Sequence, residues 1–167
     1  MMVPRMSHEH FKFFTKRQLF KFLKFYFKSC LRLWHFKNPS REEIEMATRV
    51  LQGQINTQRQ IFPDGTVGDN LDILSRQKLF NIGKNYGHGT GHGIGMFLNV
   101  HEYPVGIGTS YTLGMKEGMV TSIEPGYYEE NKFGIRFENG VIVRREFAKY
   151  YLYILKIKSL TENFDQK

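Results

Sequence analysis

The stretch that most limits the fold runs from Asn85 to Pro104 and reads NYGHGTGHGIGMFLNVHEYP. It holds five Gly and three His in twenty residues, and Gly occupies every second position from Gly87 to Gly95. Each interior glycine costs a helix about 1 kcal/mol relative to alanine, so glycine this dense argues against a stable helix. The segment is therefore expected to form strand or loop.

His88 and His92 lie four positions apart in this stretch, and His101 follows nine positions later. In a strand, residues four apart point to the same face, so both imidazoles can enter one cleft. Glycine at the alternating positions lets another backbone or a ligand approach closely. A lone histidine is more often a structural residue, but three in this setting favour a catalytic or metal-binding role.

The residues before this stretch predict two helices. Ser40 followed by Glu43 has the pattern of a capping box, which predicts a helix over about residues 41–60, closed by Pro63. A second helix is expected over about residues 70–82, with Gly83 as its C-terminal cap. The expected apolar faces are Ile44, Ala47, Leu51 and Ile55 in the first helix, and Leu71, Leu74, Leu79 and Ile82 in the second.

After Gly87 the pattern changes to short apolar runs separated by turn residues. The segments GMVTSIEPGYY and KFGIRFENGVIVRRE are broken by Pro-Gly, Asn-Lys and Asn-Gly pairs. Runs of this kind predict strands joined by tight turns.

Two carboxylates stand out among these strands, Glu124 in TSIEPG and Glu138 in IRFENG. Counting by twos, Ser122 shares a face with Glu124, and Arg136 shares one with Glu138. Taken alone, both acids are typical of solvent-facing positions on edge strands. Beside the histidine-rich stretch, a metal site built from carboxylate and imidazole is the better interpretation, because a buried carboxylate needs a partner. Such a mixed ligand set suits Mn²⁺, and Zn²⁺ or Co²⁺ also accept it.

The net charge of +8 belongs to the N-terminal quarter of the chain. Residues 1–41 hold ten Lys or Arg and one acid, whereas residues 42–167 hold fourteen Lys or Arg and fifteen acids. Over residues 12–37 the basic side chains oppose leucines and aromatics, which predicts a basic amphipathic helix. That helix could bind an anionic membrane surface, or its lysine face could simply be solvated. No RNA-binding motif is visible, which argues against a nucleic-acid partner.

Cys30 is the only cysteine, so no internal disulfide can form. This usage fits a reducing compartment and predicts a cytoplasmic protein. No run of eighteen uninterrupted apolar residues occurs, which argues against a transmembrane helix.

Several blocks of the sequence resemble a known family. They are TRVLQGQI, IFPDGTVGDNLDILSRQKLF, YGHGTGHGIGMFLNVHEYPVGIG and GMVTSIEPGYYEENKFGIRFEN. In this order and spacing they resemble Xaa-Pro aminopeptidases, which are pita-bread metallopeptidases of family M24. The resemblance implies an α+β, partial pita-bread fold, with a curved antiparallel sheet and helices on its outer face. The chain then divides into a basic aromatic segment (1–37), a partial catalytic domain (38–147) and a C-terminal tail (148–167).

The resemblance also implies roles for individual residues. His92, Glu124 and Glu138 would bind metal, with Glu138 bridging two divalent ions. Glu124 would also take a proton from the attacking water. His88 and His101 would line the substrate site and move protons at the scissile peptide. The substrate would be a peptide with proline in second position, which loses its N-terminal residue.

Arg136 would support Glu138 from outside the ligand set. The family pattern also contains two Asp ligands before the first helix, whereas no Asp precedes Asp64 in this chain. We interpret Asp64 and Asp69 as turn and cap residues. The sequence therefore predicts three of five ligands, a truncated chain and impaired hydrolysis. The alternative is a non-catalytic interaction protein that keeps part of the fold, and a homodimer is a further expectation from the family.

Overall fold

A computed structural model describes residues 38–95, 99–148 and 151–159 of the chain. In these ranges α1 (Arg41–Arg59), β1 (Ile61–Pro63) and α2 (Gly68–Phe80) come first. The strands that follow are β2 (Gly91–Gly93), β3 (Glu102–Ile107), β4 (Val120–Ile123), β5 (Gly126–Glu129), β6 (Phe133–Arg136), β7 (Asn139–Ala148) and β8 (Tyr151–Ser159). The strands predicted after Gly87 are thus confirmed. The amphipathic helix predicted over residues 12–37 lies outside the described residues.

Six of these strands form one antiparallel sheet, in the order β1-β8-β7-β4-β2-β3, while β5 and β6 form a separate hairpin. β8 lies between β1 and β7, since Leu155 pairs with Phe62 and Ile157 pairs with Val143. Residues 148–167 were set apart from the sequence as a tail, yet Tyr151–Ser159 is an inner strand of this sheet. β8 supplies hydrogen-bonding partners to both β1 and β7.

The limits predicted for α1 are confirmed at both ends. Ser40 caps the helix by accepting a hydrogen bond from the Glu43 amide at 3.2 Å, and the Glu43 carboxylate accepts one from the Ser40 amide at 2.7 Å. These two reciprocal bonds complete the capping box. The helix ends at Arg59, close to the predicted end at residue 60.

The apolar face predicted for α1 is wrong at three of its four positions, whereas Ala47 packs against the core as expected. Ile44, Leu51 and Ile55 are 52%, 39% and 41% exposed. The helix instead buries Met46, Val50, Gly53, Gln54 and Thr57. The reason is the close packing of α1 on α2: a Cβ atom at Gly53 would lie 2.1 Å from the backbone oxygen of Ser75. A backbone approach this close admits only glycine at the point of contact, so Gly53 has to face α2 and the residues on its side of the helix are buried with it.

The predicted second helix is confirmed, shifted by two residues. α2 buries Leu71 and Leu79, and Gly83 follows it in the left-handed conformation, with φ of 69°. Leu71 joins one cluster of apolar side chains with Met115, from the loop between β3 and β4, and with the sheet residues Phe62, Ile107, Ile123, Val141, Val143 and Ile157. Leu79 joins a second cluster with Met46, Val50, Tyr86, Tyr127 and Ile135. α2 thus contributes to two clusters, one shared with the sheet and one shared with α1 and the β5–β6 hairpin.

Within the described ranges, neither helix has the length and apolar character needed to cross a bilayer.

Candidate metal centre

His92 lies in the middle of β2, between two glycines that the packing requires. A Cβ atom at Gly91 would lie 2.0 Å from the backbone oxygen of Ser122, and one at Gly93 would lie 2.1 Å from that of Glu102. Both glycines therefore let a neighbouring backbone approach closely. The sequence pattern predicted such an approach by either a backbone or a ligand. The strand register shifts between His92 and Gly93. Irregularities of this kind redirect a side chain, and here the side chain is the imidazole.

The structure brings His92, Glu124 and Glu138 together from three separate segments. Glu124 directly follows β4, and Glu138 lies between β6 and β7. Each residue offers one ligand atom, and the three atoms lie within 4.8 Å of one another. His92 and Glu124 are buried, at 8% and 7% exposure, and His92 Nε2 lies 3.1 Å from Glu124 Oε1.

Hydrogen bonds orient both of the buried side chains. His92 Nδ1 lies 3.0 Å from the Gly93 carbonyl, which can only accept, so this nitrogen donates and Nε2 faces the carboxylates. The Ser122 hydroxyl donates to Glu124 Oε1 at 2.9 Å and accepts from the His92 amide at 3.0 Å. Ser122 thus links two of the clustered residues, a role that the sequence pattern did not reveal.

The pKa values show how the three groups act on one another. Burial raises the pKa of Glu138, and the negative charge of Glu124 raises it further, so its net pKa is above the ordinary value. Burial opposes ionisation of Glu124 and His92 as well. Burial is the largest single influence on both, but their mutual hydrogen bond, the bonds to the Gly93 carbonyl and the Ser122 hydroxyl, and the neighbouring charges together outweigh it, so the pKa of Glu124 is lowered and that of His92 is raised.

Two carboxylates that repel each other, with an imidazole nitrogen directed at them, form a space suited to a cation. A divalent ion would replace the positive charge that His92 supplies when protonated, and would offset the repulsion between Glu124 and Glu138. The donor set of one nitrogen and two carboxylates is one that Mn²⁺, Zn²⁺ and Co²⁺ accept. The residues therefore fit one divalent ion.

The other predicted site residues lie around this cluster at different distances. The His101 ring packs edge-on against His92, with 4.3 Å between ring centroids. Arg136 Nη1 lies 3.7 Å from Glu124 Oε2 and forms an ion pair with it. The Arg136 charge contributes to the lowered pKa of Glu124 and partly opposes the rise in the pKa of Glu138. His101 therefore contacts His92, and Arg136 contacts Glu124, so both outer residues act on the buried pair and not on Glu138 alone.

His88 occupies a different position from the one that strand geometry suggested. It precedes β2, so the two imidazoles do not share one strand. His88 Nε2 lies 2.9 Å from the Tyr128 hydroxyl, and Arg136 also hydrogen-bonds that hydroxyl. His88 is therefore connected to Glu124 through Tyr128 and Arg136, without direct contact with the three clustered residues.

A buried polar network behind the site was also missed from the sequence. Arg76 Nε lies 2.6 Å from Asp72 Oδ2, and Nη2 donates to the His88 carbonyl at 2.7 Å. The Thr90 hydroxyl donates to Asp72, and the Thr90 carbonyl accepts from the Glu124 amide at 2.6 Å. The network therefore fixes the backbone on which His88 and Glu124 are carried. In the sequence, Asp72 and Arg76 have the spacing of an ordinary surface pair on a helix.

The described fold and cluster define a metallopeptidase-type domain, and comparison with known proteins identifies its family. The model of metallopeptidase family M24 matches residues 21–145, so the chain belongs to that family. The antiparallel sheet with its helices is part of the pita-bread fold of these enzymes.

Among its relatives, the chain is 51% identical over 116 residues to a probable Xaa-Pro aminopeptidase P of Coprinopsis cinerea, covering 68% of this chain and 19% of that protein. It is 50% identical over 119 residues to human Xaa-Pro aminopeptidase 2, covering 71% of this chain and 18% of that protein. The crystal structure of an X-prolyl aminopeptidase from Caenorhabditis elegans, a cytosolic enzyme with a dinuclear active site, matches with a TM-score of 0.72 at 43% identity. That match covers 76% of this chain and 21% of the other. The chain thus spans about a fifth of the length of these relatives.

Proposed function

We propose that this chain is a metal-binding part of a Xaa-Pro aminopeptidase and holds one divalent ion between His92, Glu124 and Glu138. The supporting observation is the convergence of three ligand atoms within 4.8 Å, two of them on buried side chains. The neighbour from Caenorhabditis elegans has a dinuclear site. Because no Asp precedes Asp64 here, we propose one ion for this chain, with Mn²⁺ as the first candidate.

The names of the relatives support a peptide with proline in second position as the substrate class. When bound, a divalent ion lowers the pKa of a coordinated water and polarises a carbonyl group. Glu124 would accept the proton of the attacking water, held in place by Ser122 and Arg136. His101, beside His92, would donate a proton at the scissile peptide, and His88 would line the peptide site.

Metal titration of the full chain tests the binding step. Isothermal titration with Mn²⁺, and Co²⁺ absorption spectra, should give about one ion per chain. Loss of an outer contact to a ligand already costs about 10–100-fold in metal affinity, so His92→Ala and Glu138→Gln should lose more than about 100-fold. Glu45→Gln is the matched control for Glu138→Gln, since Glu45 is an exposed carboxylate on α1 that pairs with Arg49, outside the cluster, and its loss should leave affinity unchanged. Two tightly bound ions, or equal losses in all three variants, would contradict the proposed site.

A peptide assay tests the chemical step separately. The metal-loaded chain is incubated with an Xaa-Pro peptide, and release of the N-terminal residue is followed by mass spectrometry. Cleavage that His92→Ala abolishes supports the aminopeptidase. Metal binding without cleavage instead supports the alternative, a non-catalytic interaction protein that keeps the metal site but lacks the two expected Asp ligands. A cytoplasmic location, a homodimer and membrane-surface binding through residues 12–37 stay predictions.

A further inference from the structure

Two glutamines lie one turn apart on the inner side of α1. Gln54 is only 4% exposed, and Gln58, four positions later, is half-buried. Residues four apart lie on the same side of a helix, so both side chains extend in the same direction. A long polar side chain is rarely buried without a hydrogen-bonding partner, so the partners of these two amides indicate what the amides do.

Gln54 is hydrogen-bonded to the strand that leads into Glu124. Its Nε2 donates to the Ile123 carbonyl at 3.2 Å, and Ile123 is the last residue of β4. Glu124 follows directly, and its amide donates to the Thr90 carbonyl at 2.6 Å. The Ile123 carbonyl and the Glu124 amide belong to one planar peptide unit. This unit is thus held from two sides, by α1 at its oxygen and by the backbone before β2 at its nitrogen.

Gln58 is hydrogen-bonded at the start of β7, next to Glu138. Its Oε1 accepts from the side-chain amide of Asn139 at 3.3 Å, and Asn139 directly follows Glu138. Asn139 is also the β7 residue that pairs with Ile123. The two contacts from α1 therefore fall on one pair of facing residues, and each member of that pair is the sequence neighbour of a clustered carboxylate.

This end of the β4–β7 ladder has to resist an electrostatic repulsion. The negative charge of Glu124 raises the pKa of Glu138, so each carboxylate disfavours the ionised form of the other. In the absence of an ion, the same repulsion acts to separate the two strand ends. A neutral amide can hold the strands together without a charge of its own, whereas a Lys or Arg at the same position would repel a cation.

We propose that Gln54 and Gln58 are positioning residues, which hold Glu124 and Glu138 at the separation that a divalent ion requires. The ion rests on the function proposed above, whereas the two hydrogen bonds do not. The groups of a binding site must lie within about 0.5 Å of their productive positions, so a small movement of either strand end weakens binding. α1 is then part of the metal centre, although the three clustered residues all lie outside it.

Methionine substitutions remove the side-chain amides and keep the length of the side chains. Gln54→Met and Gln58→Met should each lower the Mn²⁺ affinity of the full chain about 10-fold, at the lower end of the effect of contacts outside a ligand set. Both variants should also change the Co²⁺ absorption spectrum, which reports the geometry of the ligands.

Thr57→Val is the matched control on the same helix. The Thr57 side chain is fully buried, but its hydroxyl is hydrogen-bonded to that of Ser75 on α2. The variant therefore loses a buried hydrogen bond and keeps both contacts to the strand ends. Its Mn²⁺ affinity and Co²⁺ spectrum should match those of the unsubstituted chain. Urea unfolding establishes that all three variants remain folded.

Hydrogen exchange in the metal-free chain gives a second readout, which does not depend on an ion. Losing one hydrogen bond should speed exchange of the amides in residues 122–124 and 139–141 about fivefold in Gln54→Met and in Gln58→Met. The same amides should exchange at the unsubstituted rate in Thr57→Val.

The outcomes separate the role of α1 from the proposed metal binding. If the unsubstituted chain binds no ion, the metal site is refuted; faster exchange confined to the glutamine variants then still supports positioning, and equal exchange overturns it. Equal losses of Mn²⁺ affinity in all three variants would show a general effect of stability and overturn the proposal. If the chain binds an ion and both glutamine variants bind it equally well, the proposal is overturned while the metal site stands.

Discussion

Replacing Asp72 by asparagine tests whether the buried network on α2 stabilises the fold. The Asp72 and Arg76 side chains are only 9% and 12% exposed, and their closest N–O distance is 2.6 Å. Asp72 accepts from both Arg76 and Thr90. An asparagine offers one acceptor oxygen, so one of these two donors would face an NH₂ group.

The size of the effect follows from what remains around Arg76. Removing one member of a buried ion pair costs roughly 3–5 kcal/mol, because the other charge is left without its partner. The Arg76 guanidinium keeps three further acceptors, the Asn85 side-chain oxygen and the carbonyls of Tyr86 and His88. We therefore expect Asp72→Asn to lower the free energy of unfolding by about 3 kcal/mol, at the lower end of that range.

α1 offers a control pair with the same spacing and the same charges. Glu45 and Arg49 also form an Asp/Glu–Arg pair four residues apart, at 2.7 Å, but Glu45 is 54% exposed. Exposed helix pairs contribute about 0.3–0.5 kcal/mol, so Glu45→Gln should be nearly silent. Urea unfolding measures both: with a slope of about 2 kcal/mol per molar, the midpoint should fall by about 1.5 M for Asp72→Asn and by about 0.2 M for Glu45→Gln. Equal shifts would refute the reasoning that burial distinguishes the two pairs.

Two further predictions concern Tyr86 and Gly53. Burial raises the pKa of Tyr86 from 10.0 to about 12. The contribution of neutral Tyr86 to the free energy of unfolding is therefore complete below pH 10, and that free energy falls by about 2–3 kcal/mol as the pH rises to 12. Urea unfolding at pH 9 and pH 11.5 should show this loss, and Tyr86→Phe should lack it; an identical loss in the variant would assign it to other groups. Gly53→Ala should lower the free energy of unfolding by about 1–3 kcal/mol, because the added methyl group would clash with the backbone of Ser75. This cost outweighs the roughly 0.5–1 kcal/mol by which alanine stabilises a helix relative to glycine. Gly87→Ala, with open space around its Cβ, is the control for thermal unfolding, and equal melting temperatures would argue against tight packing.

The ends of the helices could be predicted from the sequence because local chemistry sets them. The Ser40–Glu43 capping box involves only neighbouring residues, so its pattern is readable without the fold. The buried face of α1 could not be predicted in this way. Hydrophobic periodicity selects Ile44 and Leu51, whereas the approach of α2 selects Gly53, and that approach is a long-range property of the fold.

The candidate site shows the same division between local and long-range information. Residue types and alternation indicated that His92, Glu124 and Glu138 could act together, but only strand pairing brings their ligand atoms within 4.8 Å. Asp72 and Arg76 were missed because a pair at this spacing looks the same on a surface and in an interior. Their importance depends on Thr90 and the loop at His88, which come from later in the chain.

The insertion of β8 between β1 and β7 has a consequence for the newly made chain on the ribosome. Ile61 pairs with Lys156, so β1 leaves the exit tunnel long before β8, its neighbour among the described strands, has been translated. At translation speeds of about 5–20 residues per second, the interval is roughly 5–20 s. During that time the edge of β1 and the Phe62 ring have no cover from β8, so the unfinished sheet exposes unpaired backbone groups and apolar surface.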